Sequence, residues 1–126
     1  MSRINIAMNE IGKSNVVPED KYLVQIVEGT KDAKSKEGNP MLQICVKIIE
    51  GEYAGHRINP QYVSLLPHAR FLFDEIVLAA GVPYDDDGVD TDDFIGKEMV
   101  VDLVIDEYQG RESNKIKRAY AIGADD

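Results

Sequence analysis

The sequence predicts a mainly β protein of the α+β type, a five-stranded Greek-key barrel with one helix between strands 3 and 4. Apolar and polar residues alternate in several short segments, and turn signals rich in glycine, asparagine and proline separate these segments. One later stretch instead has apolar residues at spacings of three and four, which is typical of a helix. With 126 residues, 44% of them apolar, the chain is expected to form a single domain around one core.

The N-terminal part is predicted to be an arm followed by the first strand. Residues 1–20 are polar and weakly patterned, so we expect an arm in which residues 4–8 add an edge strand. Residues 22–28 alternate and predict a mostly buried first strand. Residues 29–40 contain Gly, Lys, Asp, Ser and an Asn-Pro pair and sustain neither period, which indicates a mobile loop.

Strands 2 and 3 and the helix follow this loop. Residues 41–49 alternate between an aliphatic face and a polar one, and the glycines of the next turn lead into a third strand at about residues 56–63. The helix is expected to begin near Pro67, which suits a first helical turn, and to end at Gly81. Residues 84–93 are acidic and without period, and they predict a loop ending in a short turn.

The last two strands are predicted over residues 98–107 and 114–122. A hairpin loop of residues 108–113 connects them, with Gly110 as its positive-φ residue. Residues 123–126 are expected to form a short acidic tail.

The composition is typical of a protein without disulfides, export signals or membrane spans. Cys45 is the only cysteine, which excludes an intramolecular disulfide and a CxxC zinc site. The N-terminus lacks a basic region followed by an apolar segment, and no apolar run approaches the roughly 18 residues of a membrane span. We therefore expect a protein of the reducing cytoplasm.

The distribution of charge matters more than its sum. The formal net charge is −9, which by itself argues against a nucleic-acid partner, because Lys and Arg supply most of the non-specific affinity for phosphates. Residues 31–36 and 111–118, however, hold seven basic residues against two acidic ones. Each segment alone would also fit a solvated, lysine-rich loop, so the case for a site requires the two to be neighbours in space.

The predicted order of five strands, with one helix after the third, is that of the OB-fold. In that fold the loops joining strands 1–2 and strands 4–5 flank the face of strands 2 and 3, where oligonucleotides lie, and these loops are the two basic segments. Basic groups follow the phosphates of a single strand, and aromatic rings stack on its bases. The predicted nucleic-acid-binding residues are Lys31, Lys34, Lys36, Lys47, Tyr53, Arg57, Tyr62, Tyr108, Arg111, Lys115, Lys117 and Arg118.

Several short motifs resemble a family of small phage single-stranded DNA-binding proteins. They read VPEDKY, KSKEGNPML, GEYAGHR, FIGK and EYQGRESNKIK and lie within residues 17–118. The resemblance implies an OB-fold protein that coats single-stranded DNA during phage replication or recombination, in the cytoplasm of a bacterial host. Its protein partners would be a phage recombinase, helicase or polymerase, and an edge strand would offer a route to a homodimer.

No enzymatic, metal or cofactor site is predicted. When the glycine of the acidic loop is aligned to that of an EF-hand, Pro83 and Phe94 fall where the first ligand and the bidentate glutamate should be. His56 and His68 are the only histidines and have no partner at a ligand spacing. No phosphate-binding glycine loop and no GxSxG element is present. The chain is therefore predicted not to be an enzyme.

A second hypothesis belongs to another class. With a pI near 4.6 and many carboxylates between residues 74 and 107, the protein could be an interaction module or DNA mimic that blocks a host nucleic-acid enzyme. Salt separates the two hypotheses, because binding to DNA weakens as salt rises, whereas a mimic has no affinity for an oligonucleotide at any salt.

Overall fold

A computed structural model describes residues 16–123, and the predicted arm strand at 4–8 and the end of the acidic tail lie outside this range. The described chain is mainly β with a single α-helix, α1, between the fifth and sixth strands. The elements are β1 (Asp20–Ile26), β2 (Lys31–Lys34), β3 (Pro40–Ile44), β4 (Val46–Ile48), β5 (Gln61–Ser64), α1 (Phe71–Ala80), β6 (Glu98–Tyr108) and β7 (Arg111–Tyr120). Within residues 16–123 no helix has the length and apolar content that crossing a membrane requires.

Two antiparallel sheets share one long strand. The strand order is β4-β1-β6-β7 in the first sheet and β2-β3-β5 in the second. Only Cys45 separates β3 from β4, and its backbone N–H and C=O bond instead to Thr30 Oγ1 (3.1 Å) and to the N–H of Val27 (2.8 Å). The strand thus passes from one sheet into the other, which curves both around a common core as in a small α+β barrel.

Side-chain amides join the two sheets between β5 and β7. Gln61 donates to the carbonyl oxygen of Asn114 (2.8 Å) and accepts from the N–H of Ile116 (2.9 Å). Asn59 forms the same kind of pair with the C=O and N–H of Asn114, at 3.1 and 3.0 Å. These amides replace a backbone ladder, so the edges of β5 and β7 are held together without direct strand pairing.

The core lies between the sheets and under α1. Phe94 is fully buried, and the centre of its ring lies 6.2 Å from that of Phe73 on the helix. The helix ends as predicted at Gly81, which has a φ of 71° and donates its N–H to the carbonyl of Val77. It begins at Phe71, later than expected, because Pro67 lies in a preceding turn instead of the first helical turn.

The strand boundaries differ from the predictions at several positions. The expected loop of residues 29–40 contains strand β2, and the second strand is divided into β3 and β4, so residues 16–123 contain seven strands. The third strand is shorter than expected, since only β5 and one bridge between Arg57 and Lys47 are paired. The last strand begins at Arg111, earlier than the expected start at residue 114, so the whole second basic segment of residues 111–118 lies in β7.

Two tyrosines make the fold sensitive to alkaline pH. Tyr120 donates to Asp102 (2.8 Å), and this hydrogen bond raises the pKa of Tyr120. Burial, followed by the charge of Asp20, raises the pKa of Tyr22. A raised pKa in the folded state stabilises the fold below the unfolded tyrosine pKa of about 10, and this stabilisation is lost as pH rises through the folded values.

The free energy of unfolding in urea is therefore expected to fall between pH 8 and pH 11, values chosen on either side of a tyrosine pKa of about 10. A double Tyr22→Phe, Tyr120→Phe variant should show a smaller fall. An equal fall in the parent and the variant would mean that other groups cause the loss.

Candidate nucleic-acid interface

A row of three polar side chains crosses the outer face of the β2-β3-β5 sheet. Gln43 of β3 is paired with Lys31 of β2 on one side and with Tyr62 of β5 on the other. Directly paired residues share a face, and strands lie about 4.8 Å apart, so Lys31 and Tyr62 are about 10 Å apart across the sheet. Tyr62 is 55% exposed, although it lies in a strand with buried neighbours. Its ring is therefore available to a ligand.

The side-chain amides of Asn59 and Gln61, which hold β7 beside β5, bring the second basic segment to the other side of Tyr62. Gln61 binds the backbone of Asn114 and Ile116, which places Lys115 next to β5. Lys115 and Lys117 are both exposed, while Asn114 and Ile116 point into the core. Lys31 and Lys115, which belong to the two predicted basic segments, thus lie on opposite sides of Tyr62.

Lys47 of β4 and Arg57, which lies between β4 and β5, form a second basic pair. They are bridged to each other across antiparallel strands, and Arg57 donates to the carbonyl of Glu28 at 3.2 Å. Like charges directly opposite each other cost stability. Neither side chain has a carboxylate ion pair in the described part of the chain. A bound anion would relieve this repulsion, so the pair suits an extension of the same surface.

Lys34 and Lys36 lie at the end of the β2–β3 hairpin. Ser35 and Asn39 close its turn through a 2.9 Å backbone hydrogen bond, and both lysines are exposed. Lys34, which is paired with Pro40, comes three residues after Lys31 in β2. Because successive side chains of a strand point to opposite faces, Lys34 lies on the other face of the hairpin. These lysines add positive charge at the edge of the surface and are not part of the row.

The β6–β7 hairpin carries Tyr108 and Arg111 at its tip. They are paired on either side of a two-residue turn in which Gln109 and Gly110 both have positive φ, 53° and 79°, as a tight hairpin of this type requires. Tyr108 is 73% exposed, and the prediction for Gly110 is confirmed. Three carboxylates also lie on this hairpin, Asp106, Glu107 and Glu112. Its electrostatics therefore favour a phosphate less than those of the row.

Tyr53 does not lie on the outer face of the β2-β3-β5 sheet, where the row is found. Its ring packs edge-on against Tyr22, with ring centres 6.2 Å apart and an interplanar angle of 79°. The two tyrosines line a groove, and Glu50 and Glu52 line it as well. The predicted role in stacking on a base is unsuited to this position, because nearby carboxylates repel phosphates.

Arg118 is held by the helix. Its Nε donates to both carboxylate oxygens of Glu75 at 3.0 Å, and its guanidinium lies 5.6 Å from the centre of the Phe71 ring. Glu75 also accepts from the N–H of Ala119 at 2.6 Å. These contacts engage Arg118 in the docking of α1 on β7.

Replacing Arg118 by alanine is expected to lower the urea midpoint while leaving the salt dependence of oligo-dT binding unchanged, because the lost contacts are internal. Anisotropy titrations of labelled oligo-dT at several salt concentrations measure this dependence. A decrease of about 0.7 in the magnitude of the slope would instead identify Arg118 as a phosphate contact.

Gln43 was not among the residues predicted from the sequence, although it belongs to the row. Its amide is fixed by a 2.6 Å hydrogen bond to the carbonyl of Gly29. The available signal was its parity with Lys47, since both were expected on the polar face of the second strand. A polar residue on the same face as a predicted site residue could have been included for that reason.

The acidic loop shows no metal-binding geometry. Asp85 accepts hydrogen bonds from the N–H groups of Asp87 and Gly88, and Asp90 accepts from that of Asp92. These carboxylates cap turns. Among residues 16–123, no group of three or more His, Cys, Asp or Glu residues could hold a metal ion.

Comparison with known proteins places the chain in a family. The family described as "Protein of unknown function (DUF669)" matches residues 4–125, nearly the whole sequence, and the chain therefore belongs to it. No curated protein matches the chain. The family description names no activity.

Proposed function

We propose that this member of the family is an OB-fold protein that binds single-stranded DNA without strong sequence preference, in phage replication or recombination, and that it has no enzymatic activity. The observation that carries the proposal is the row of Lys31, Gln43 and Tyr62 with Lys115 beyond it. It combines an exposed ring with positive charge on both sides, which are the two components of a single-strand site.

The strand order supports the OB-fold. β1 is the first strand of that fold, and β3 and β4 together are its second, shared between the sheets. β5 is the third, α1 follows it, and β6 and β7 are the fourth and fifth. In this assignment β2 is an addition within the connection of strands 1 and 2, and the row lies on the oligonucleotide face of the fold.

A single strand suits this surface better than a duplex. The face of a base is free to stack on Tyr62 only when the base is not already stacked within a helix. Such a contact contributes about 1–3 kcal/mol for any base, so it gives little sequence preference. Lys31 and Lys115 would then neutralise phosphates on either side.

A titration of fluorescein-labelled oligo-dT tests the proposal. With about four phosphate contacts, from Lys31, Lys115, Lys117 and the Lys47–Arg57 pair, the slope of log affinity against log salt should be near −3, and binding should weaken about 50-fold between about 50 and 200 mM salt. A duplex of equal length should bind far more weakly. Equal affinity for the duplex, or no salt dependence, would contradict the proposal.

The second candidate function is that of an acidic interaction module. A concavity of about 540 Å³ is lined by Asp32, Pro83, Tyr84 and residues of the 85–93 loop, among them four further aspartates. Such a surface could occupy a basic groove of a host enzyme. Absence of any affinity for oligo-dT at low salt would favour this function over single-strand binding.

A further inference from the structure

We propose that a groove at one end of the barrel binds basic side chains of a partner protein. The groove has a volume of about 410 Å³ and lies between the start of β1 and the loop that follows β4. Tyr22 and Tyr53 line it together with three exposed carboxylates, those of Asp20, Glu50 and Glu52. It is separate from the row on the β2-β3-β5 sheet, and the inference does not depend on DNA binding.

The groove is formed before any ligand binds. The N–H of Ile49 donates to the carbonyl of Leu23 at 3.0 Å, which fixes the loop to β1. The N–H of Gly55 donates back to the carbonyl of Ile48 at 2.7 Å, which closes the loop on itself. Tyr53 is half-buried and packs against the core. Because these groups are already ordered, a ligand loses little affinity to the ordering of the groove.

The two tyrosines present a surface that attracts cations. Their rings meet edge to face, and Tyr22 is anchored by a 2.6 Å hydrogen bond from its hydroxyl to the carbonyl of Pro18. The face of an aromatic ring carries negative potential and attracts an ammonium or guanidinium group. Of the two, guanidinium is better suited, because it is planar, stacks on rings and donates to several carboxylates at once.

The charges around the tyrosines reinforce this attraction. Burial raises the pKa of Tyr22, and the carboxylates of Asp20 and Glu52 raise it further, so their negative potential reaches the ring. Lys21 also lines the groove, but its ammonium lies 4.8 Å from the centre of the Tyr120 ring. Three carboxylates exceed the charge of one cation, so a segment with more than one basic residue complements the groove best.

Fluorescence anisotropy with two labelled peptides tests the proposal. One peptide alternates glycine and arginine, and the other has citrulline in place of arginine, which keeps the shape and removes the charge. At about 50 mM salt, where screening is weak, the arginine peptide should bind and the citrulline peptide should not. A Glu50→Gln, Glu52→Gln variant and a Tyr53→Ala variant should each bind about tenfold more weakly, whereas Tyr53→Phe should bind like the parent.

A matched control separates the groove from the overall negative charge. The Asp85→Asn, Asp86→Asn, Asp87→Asn variant removes more charge, but at the acidic loop, and it should change the affinity by less than about twofold. The proposal is wrong if this control weakens binding as much as the glutamate variant does, or if the glutamate variant binds like the parent. Both glutamates are exposed, so that variant should remain folded, which its urea midpoint will verify.

Discussion

Replacing Lys31, Lys115 and Lys117 together by alanine is expected to weaken oligo-dT binding by roughly two orders of magnitude at about 50 mM salt. The magnitude of the salt slope should fall by about 2, since each lost phosphate contact on a single strand contributes about 0.7. All three lysines are exposed, and none forms an ion pair with another described residue. Their charge is therefore available to phosphates beside Tyr62.

The control for this variant is Arg70→Glu. Arg70 lies before α1 and is ion-paired with Asp74 at 3.4 Å, and its replacement changes the net charge without touching the row. Anisotropy titrations at several salt concentrations should give the parent slope for this control. If it loses as much affinity as the triple variant, net charge rather than the proposed face governs binding.

The largest effect on stability is expected at Asn114, which is 1% exposed. Its side chain accepts from the N–H of Val17 at 2.9 Å and donates to the carbonyl of the same residue at 3.0 Å. Alanine would leave both backbone groups buried without a partner, at about 1–3 kcal/mol each. We expect the free energy of unfolding to fall by about 3–5 kcal/mol.

Urea unfolding measures this loss, and Asn39→Ala in the exposed β2–β3 turn provides the comparison. That substitution should change the free energy of unfolding by less than about 0.5 kcal/mol. If Asn114→Ala lies within about 1 kcal/mol of the parent, the amide is not an essential part of the network that holds the barrel together.

The predictions that were confirmed depended on local signals. The mainly β character and the single helix followed from hydrophobic period, and Gly81 and Gly110 mark a helix end and a hairpin turn because each adopts a positive φ. Tyr62 was expected on the third strand, where the structure places it. Such signals depend only on neighbouring residues in the chain.

Strand β2 was missed because its residues carry no apolar alternation. Lys31, Asp32 and Lys34 are exposed, and the segment is extended because β3 pairs with it along its whole length. Pairing with a strong neighbour can impose a strand on a sequence without β pattern. The seam of Asn59, Gln61 and Asn114 was missed for a related reason, since amides in a sequence look like surface residues until their partners are known.

The contacts of Arg118 and Tyr53 depend on tertiary placement. The register of β6 and β7 shifts between Asp102 and Leu103, and this irregularity alters which residues of β7 face outward near Arg118. The partner of Arg118, Glu75, is 43 residues away in the sequence. Tyr53 was expected at the end of a hairpin, and there its ring packs edge to face against Tyr22 of β1.

An amide chemical-shift titration of the ¹⁵N-labelled protein with oligo-dT tests single-strand binding at the row. The largest shifts are expected at Lys31, Gln43, Tyr62, Lys115 and Lys117, with smaller shifts at Lys47 and Arg57, and the groove around Tyr53 should be unaffected. Shifts confined to the acidic loop of residues 84–93, or to the groove around Tyr53, would contradict single-strand binding at the row.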